Sequence, residues 1–85
     1  MKVKGFLNSR TTAVGNTPQE INLQGKGVIL YNDGSGKVYV GDVNVSPSTG
    51  YPIKPDSGLF LELKEGARIY VVSDSSATLR ILEVF

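Results

Sequence analysis

Along most of this chain apolar residues return at every second position, in runs separated by short clusters of glycine, asparagine, aspartate, serine and proline. Val28 and Leu30, Val38 and Val40, Leu59, Leu61 and Leu63, Ile69 and Val71, and Leu79 and Ile81 keep that alternation. Successive side chains of a strand point to opposite faces, so a period of two predicts strands with one buried face. A helix needs apolar residues three and four apart, and no window longer than about ten residues keeps that spacing. The pattern predicts strands over 2–7, 20–24, 27–32, 37–43, 58–64, 67–73 and 77–84. About seven short strands in 85 residues predict an all-β chain with a single domain over 1–85, a sandwich or small barrel, of which a small antiparallel β-sandwich of jelly-roll-like or Ig-like kind is the expectation.

Paired strands must share a face, which turns loop length into a test of register. With Lys64-Glu65-Gly66 as a loop closed by a glycine at positive φ, Leu63 meets Ala67, Leu61 meets Ile69 and Leu59 meets Val71. The opposite face then joins Glu62 to Arg68 and Phe60 to Tyr70, whereas a loop one residue shorter would set Leu63 against Arg68. A loop from Asn32 to Gly36, rich in residues that tolerate left-handed conformations, likewise pairs Leu30 with Val38 and Val28 with Val40. Ile29 and Tyr39 then share the other face. In 77–84 the neighbours Ile81 and Leu82 break the alternation, and a β-bulge there would keep Leu79, Ile81, Leu82 and Val84 all inward. Two stretches lack strand periodicity. One is the polar connection Asn8 to Gln19; the other is the proline-rich loop 44–58, expected to be functional, to cross between sheets, or to plug the core through Tyr51-Pro52-Ile53.

Composition narrows the chemistry. The chain has no His, no Cys and no Trp, which excludes disulfides, thiolate or imidazole metal sites, and Ser–His–Asp or Cys–His nucleophile systems. The acidic residues Glu20, Asp33, Asp42, Asp56, Glu62, Glu65, Asp74 and Glu83 fall mostly in turns or on expected outward faces, not across a cleft as paired hydrolytic carboxylates must. Asp33-Gly34-Ser35-Gly36 and Asp42-Val43-Asn44 look like pieces of a calcium loop, but Asn44 stands where an EF-hand starting at Asp33 needs its closing glutamate, so a plain turn is expected. No catalytic residue, metal site or cofactor is expected, and the protein is read as a non-enzyme.

The net charge is +1 and the basic residues are spread along the chain, so no track for nucleic acid or an anionic membrane is expected. The opening MKVKGFLNSRTT holds no apolar run of signal-peptide length, and synthesis in the cytoplasm is the expectation. The aromatics suggest binding instead. Ile29, Tyr39, Phe60, Tyr70 and Val72 are expected to form an outward apolar patch covered by a neighbouring subunit, joined by Tyr51 from the long loop. Sugar stacking on Tyr31, Tyr39 and Tyr70 is the alternative.

The run Val38-Tyr39-Val40-Gly41-Asp42-Val43-Asn44-Val45, then Gly50-Tyr51-Pro52-Ile53, Leu61-Glu62-Leu63, Ile69-Tyr70 and Ala77-Thr78-Leu79-Arg80-Ile81-Leu82-Glu83-Val84, resembles small tailed-bacteriophage virion proteins of the head-fibre or capsid-decoration type, over about residues 26–84. That resemblance implies a structural β-sandwich on the outside of an assembled capsid, with the major capsid protein as partner and self-association as a trimer. The location implied is the virion surface, after synthesis in the host cytoplasm. Against that resemblance, an ending at Phe85 without a fibre extension makes decorating or cementing the expectation over host attachment. A carbohydrate-binding module on the virion surface and a tail or head–tail connector component are the alternative readings.

Overall fold

The computed structural model describes residues 7–85. Its strands are β1 (Leu7–Val14), β2 (Gln19–Ile21), β3 (Gly27–Asn32), β4 (Val38–Gly41), β5 (Tyr51–Ile53), β6 (Gly58–Glu62), β7 (Ile69–Ser73) and β8 (Ala77–Val84). They form two four-stranded antiparallel sheets, sheet A in the order β1-β8-β3-β6 and sheet B in the order β2-β7-β4-β5. The pairings β1·β8, β2·β7, β3·β6 and β4·β5 are those of one long hairpin with its tip between β4 and β5. The pairings β3·β8 and β4·β7 close when that hairpin rolls up. A rolled hairpin of eight strands in two sheets is a jelly roll.

The expected alternation fills the space between the sheets. Val28, Leu30, Leu79 and Ile81 of sheet A meet Val38, Val40, Ile53, Ile69 and Val71 of sheet B in one core, with Leu59, Leu61 and Leu63 packed against it. Burying each such aliphatic side chain contributes about 1.5–3 kcal/mol.

The inward faces of these segments are as the sequence predicts, but the strand partners are not. Residues 59–62 pair with β3, Leu61 opposite Val28 and Leu59 opposite Leu30, while β7 pairs with β2 and β4. Val28 and Leu30 likewise lie across the core from Val38 and Val40. Neither expected hairpin forms, because an inward aliphatic residue is as well covered by the facing sheet as by a strand beside it. The turn chemistry survives in a new role: Gly66 has φ 82° and the Ala67 N–H donates to the Lys64 carbonyl at 3.0 Å, but the turn carries the chain from one sheet to the other. Arg68 accordingly lies 3.9 Å from Glu20, not against Glu62.

Two further expectations give way. The β1·β8 register runs unbroken from Leu7↔Val84 to Val14↔Ala77, so there is no bulge. Ala77, Leu79, Ile81 and Glu83 point inward, and Leu82 and Val84 point outward. The polar stretch after Leu7 is an edge strand, not a connection, since Ser9, Thr11 and Ala13 face solvent and the inward Asn8, Arg10 and Thr12 lie at the margin of the aliphatic core. Of the strand expected over 2–7, residues 2–6 lie outside the described residues.

Candidate docking face

The loop 44–58 divides into a cover and an edge strand. Asp42 to Gly50 folds over the outer face of sheet B, where Val45 packs on Tyr39 and Val72, with Tyr70 half-buried beside them. Glycines make that approach possible: a Cβ at Gly50 would stand 2.6 Å from the Tyr39 Cβ and 2.7 Å from Val45 Cγ2, and one at Gly41 would stand 2.8 Å from Val45 Cγ2. The Asp42 carboxylate accepts from the Asn44 N–H at 2.9 Å, and the Ser46 carbonyl accepts from the Gly50 N–H at 2.8 Å, which holds the cover in its turn. Gly50→Ala is expected to force the cover off and cost about 1–3 kcal/mol, seen in a thermal melt as a Tm lower by roughly 5–15 °C. Ile53 enters the core, and Tyr51 sits 57% exposed on the edge strand.

The outer face of sheet A has no such cover among the described residues. The register places Ser9, Leu82, Ile29 and Phe60 in one row across all four strands, with Leu7, Val84, Gly27 and Glu62 on one side of it and Thr11, Arg80, Tyr31 and Gly58 on the other. The Phe60 ring leans over Gly27, where a Cβ would meet it at 3.2 Å, and still is 50% exposed, as is Leu7. A shallow depression opens between Ser9, Thr11, Ile29, Tyr31, Arg80 and Leu82. Its rim is polar: Arg80 Nε donates to Asp33 Oδ2 at 2.9 Å, and the Tyr31 hydroxyl lies 3.4 Å from Asp56 Oδ1. Burial of the phenol, then the Asp56 carboxylate, hold the Tyr31 hydroxyl protonated above its ordinary range.

The expected patch is therefore split. Ile29 and Phe60 lie on the outer face of sheet A, whereas Tyr39, Tyr70 and Val72 lie on that of sheet B under the chain's own loop, and Tyr51 stands apart at the sheet B edge. Leu82, which completes the sheet A row, escapes a reading that turns it inward by a bulge.

Among the described residues one charged side chain is buried. Glu83, 3% exposed, occupies the inward position after Ile81 at the end of the core. Its Oε2 accepts from the Gln24 and Gly25 N–H groups, and Oε1 accepts from Arg10 Nη1 at 3.1 Å. Arg10 also donates to the Asn22 carbonyl and, at 2.7 Å, to Asn8 Oδ1. Burial alone would push the Glu83 carboxyl up, but the two backbone donors and Arg10 outweigh it and hold the group below the usual glutamate range. A charge in the inward parity of an otherwise apolar strand is the sequence signal for this lock. Among the described residues no group of three carboxylates converges as a metal site would require.

Compared with known proteins, the chain matches no family model, no curated protein and no solved structure.

Proposed function

We propose that this chain is a non-enzymatic structural module that binds the outside of an assembled phage capsid, as a decoration or cement protein, through the outer face of sheet A. The observation that carries the reading is the contrast between the two outer faces: one is sealed by Val45, and the other leaves Phe60, Ile29, Leu82 and Leu7 facing outward inside a polar rim. An apolar centre with a polar rim is the anatomy of a protein-docking surface. The jelly roll, which viral capsid and lectin domains share, agrees with this by analogy of fold alone. The resemblance of residues 26–84 to decoration proteins names the capsid as the partner.

Phe60→Asp and Leu82→Asp test it. Phe60→Asp is expected to leave the β fold intact at a cost of about 1 kcal/mol or less, and each variant to abolish co-sedimentation with capsids. Wild-type-like binding by both would sink the reading. Tyr70→Asp should instead lower stability, because its ring lies beside the Val45 cover. The carbohydrate reading rests on the Tyr31 ring beside Arg80, Asp33 and Asp56, and a glycan array with signal lost in Tyr31→Ala would favour it.

A further inference from the structure

Two sheets have four edges, and the edges of this sandwich are not alike. In sheet B the edge strands β2 and β5 are three residues each, and β5 contains Pro52, which has no N–H to offer a neighbour. In sheet A the β6 edge is five residues long and runs on into Lys64 and Glu65. Short strands, prolines and charges are the usual means by which an edge is kept from pairing with another chain. The remaining edge, β1, is neither short nor broken by proline: eight residues, LNSRTTAV, with no proline, lysine or glycine, and in unbroken register with β8. Its single charge, Arg10, points inward, a placement that can guard an edge, but here it is already met by Glu83 and the Asn22 carbonyl, so covering β1 with another strand leaves no bare charge. No described strand pairs with the other side of β1.

We propose that β1 is a self-pairing edge, and that two copies of this chain join β1 to β1 antiparallel about a two-fold axis into one continuous eight-stranded sheet. The axis runs perpendicular to the sheet, so paired residues must share a face, and only registers centred on a residue are allowed. Centring on Arg10 sets two guanidinium groups directly opposite each other, which destabilises. Centring on Ser9 or Thr12 leaves fewer β1 residues overlapped. Centring on Thr11 pairs Thr11 with the second copy's Thr11, Ser9 with its Ala13, and Arg10 with its Thr12, and overlaps β1 from Asn8 to Val14, all but Leu7. Opposed threonines are a favourable cross-strand pair. The dimer carries both Ser9–Leu82–Ile29–Phe60 rows on the same face of the joined sheet, where they dock together. It replaces the trimer implied by the resemblance with a dimer, and it does not depend on what the apolar face binds.

Sedimentation velocity on the whole chain reads the mass, expected at twice 9.1 kDa at tens of micromolar. Ser9→Lys combined with Ala13→Lys places like charges opposite each other twice and is expected to weaken the dimer at least tenfold. Ser9→Glu combined with Ala13→Lys places opposite charges there and is expected to restore wild-type affinity or better at low salt. Both positions are exposed and lie opposite the uncharged Leu82 and Thr78 of their own chain, so the monomer tolerates either pair, which circular dichroism checks. Because the chain has no cysteine, Thr11→Cys adds a single thiol whose counterpart lies within disulfide reach, so mild oxidation should give a linked dimer faster than Thr49→Cys on the sheet B loop. A monomer at 100 micromolar in all variants, a trimer indifferent to the Ser9 and Ala13 charges, or equal oxidation of the two cysteine variants would each overturn the proposal. A wild-type dimer that does not bind capsids, or Phe60→Asp and Leu82→Asp dimers that still do, would count against the docking face and leave this edge standing.

Discussion

Glu83→Gln is expected to lower the unfolding free energy by about 3 kcal/mol at neutral pH, a large share of the roughly 5–10 kcal/mol available to a domain of this size. The carboxylate meets three donors, the Gln24 and Gly25 N–H groups on one oxygen and Arg10 on the other. A carboxamide has one accepting oxygen, so its NH2 must point at donors: either the two backbone N–H groups lose their acceptor, or Arg10 keeps Asn8 and Asn22 but meets an NH2 in place of a carboxylate. The space cannot be refilled from the backbone side, since a Cβ at Gly25 would run into the Val84 carbonyl oxygen and the Glu83 side chain. The pH dependence gives a second signature. The folded-state pKa of Glu83 is depressed, so its contribution is complete above the ordinary glutamate range and is lost as the pH falls through the folded value. Urea melts of the two proteins should therefore differ most at neutral pH and converge on acidification.

Asn32→Leu is expected to cost about 3 kcal/mol, although the two side chains have the same number of heavy atoms and the same branching. Asn32 is fully buried at the end of β3; its amide donates to the Gly36 carbonyl at 2.7 Å and to the Ile53 carbonyl at 2.8 Å, while its Oδ1 accepts from the Gly34 N–H at 3.0 Å. The side chain thus fastens the sheet A to sheet B crossing and ties it to β5. Its backbone adds to the tie, donating to the Ser57 carbonyl and accepting from the Asp56 N–H, both at 2.9 Å. Leucine removes three side-chain bonds and leaves their partners short of water, at about 1–3 kcal/mol for each one that stays buried. Chemical denaturation at constant m-value would measure the loss, and a change under 1 kcal/mol would mean that water reaches these groups.

Which face of β3, β4, β6 and β7 points inward was legible, because alternation depends only on the chain's own pleat. Leu59, Leu61, Ile69, Val71, Val28, Leu30, Val38 and Val40 all face the core as the pattern requires. Strand partnership was not, because in a rolled hairpin consecutive strands other than β4 and β5 do not pair with each other, and a sequence read locally prefers the nearest partner. The same preference split the candidate site. Phe60 and Tyr70 look adjacent across a short turn, yet they lie on opposite outer faces of the sandwich. Leu82 was hidden by a bulge invoked to spare it exposure, and Glu83 by the expectation that a charge faces outward. The covering loop was legible only as a long proline-rich interruption, since what Val45 does depends on the space left above Gly41 and Gly50.

The position of β8 sets the order in which this molecule can be completed. It is the last of the eight strands to leave the ribosome, yet it lies between β1 and β3, and it supplies Ala77, Leu79 and Ile81 to the core. Until it emerges, β1 has no neighbour at all and sheet A is the single pair β3·β6. Contacts between strands this far apart in the chain carry a high cost of loop closure and slow folding. The nascent chain therefore waits with its aliphatic faces uncovered until β8 emerges, and sheet A closes in one late step, not strand by strand in the order of the sequence.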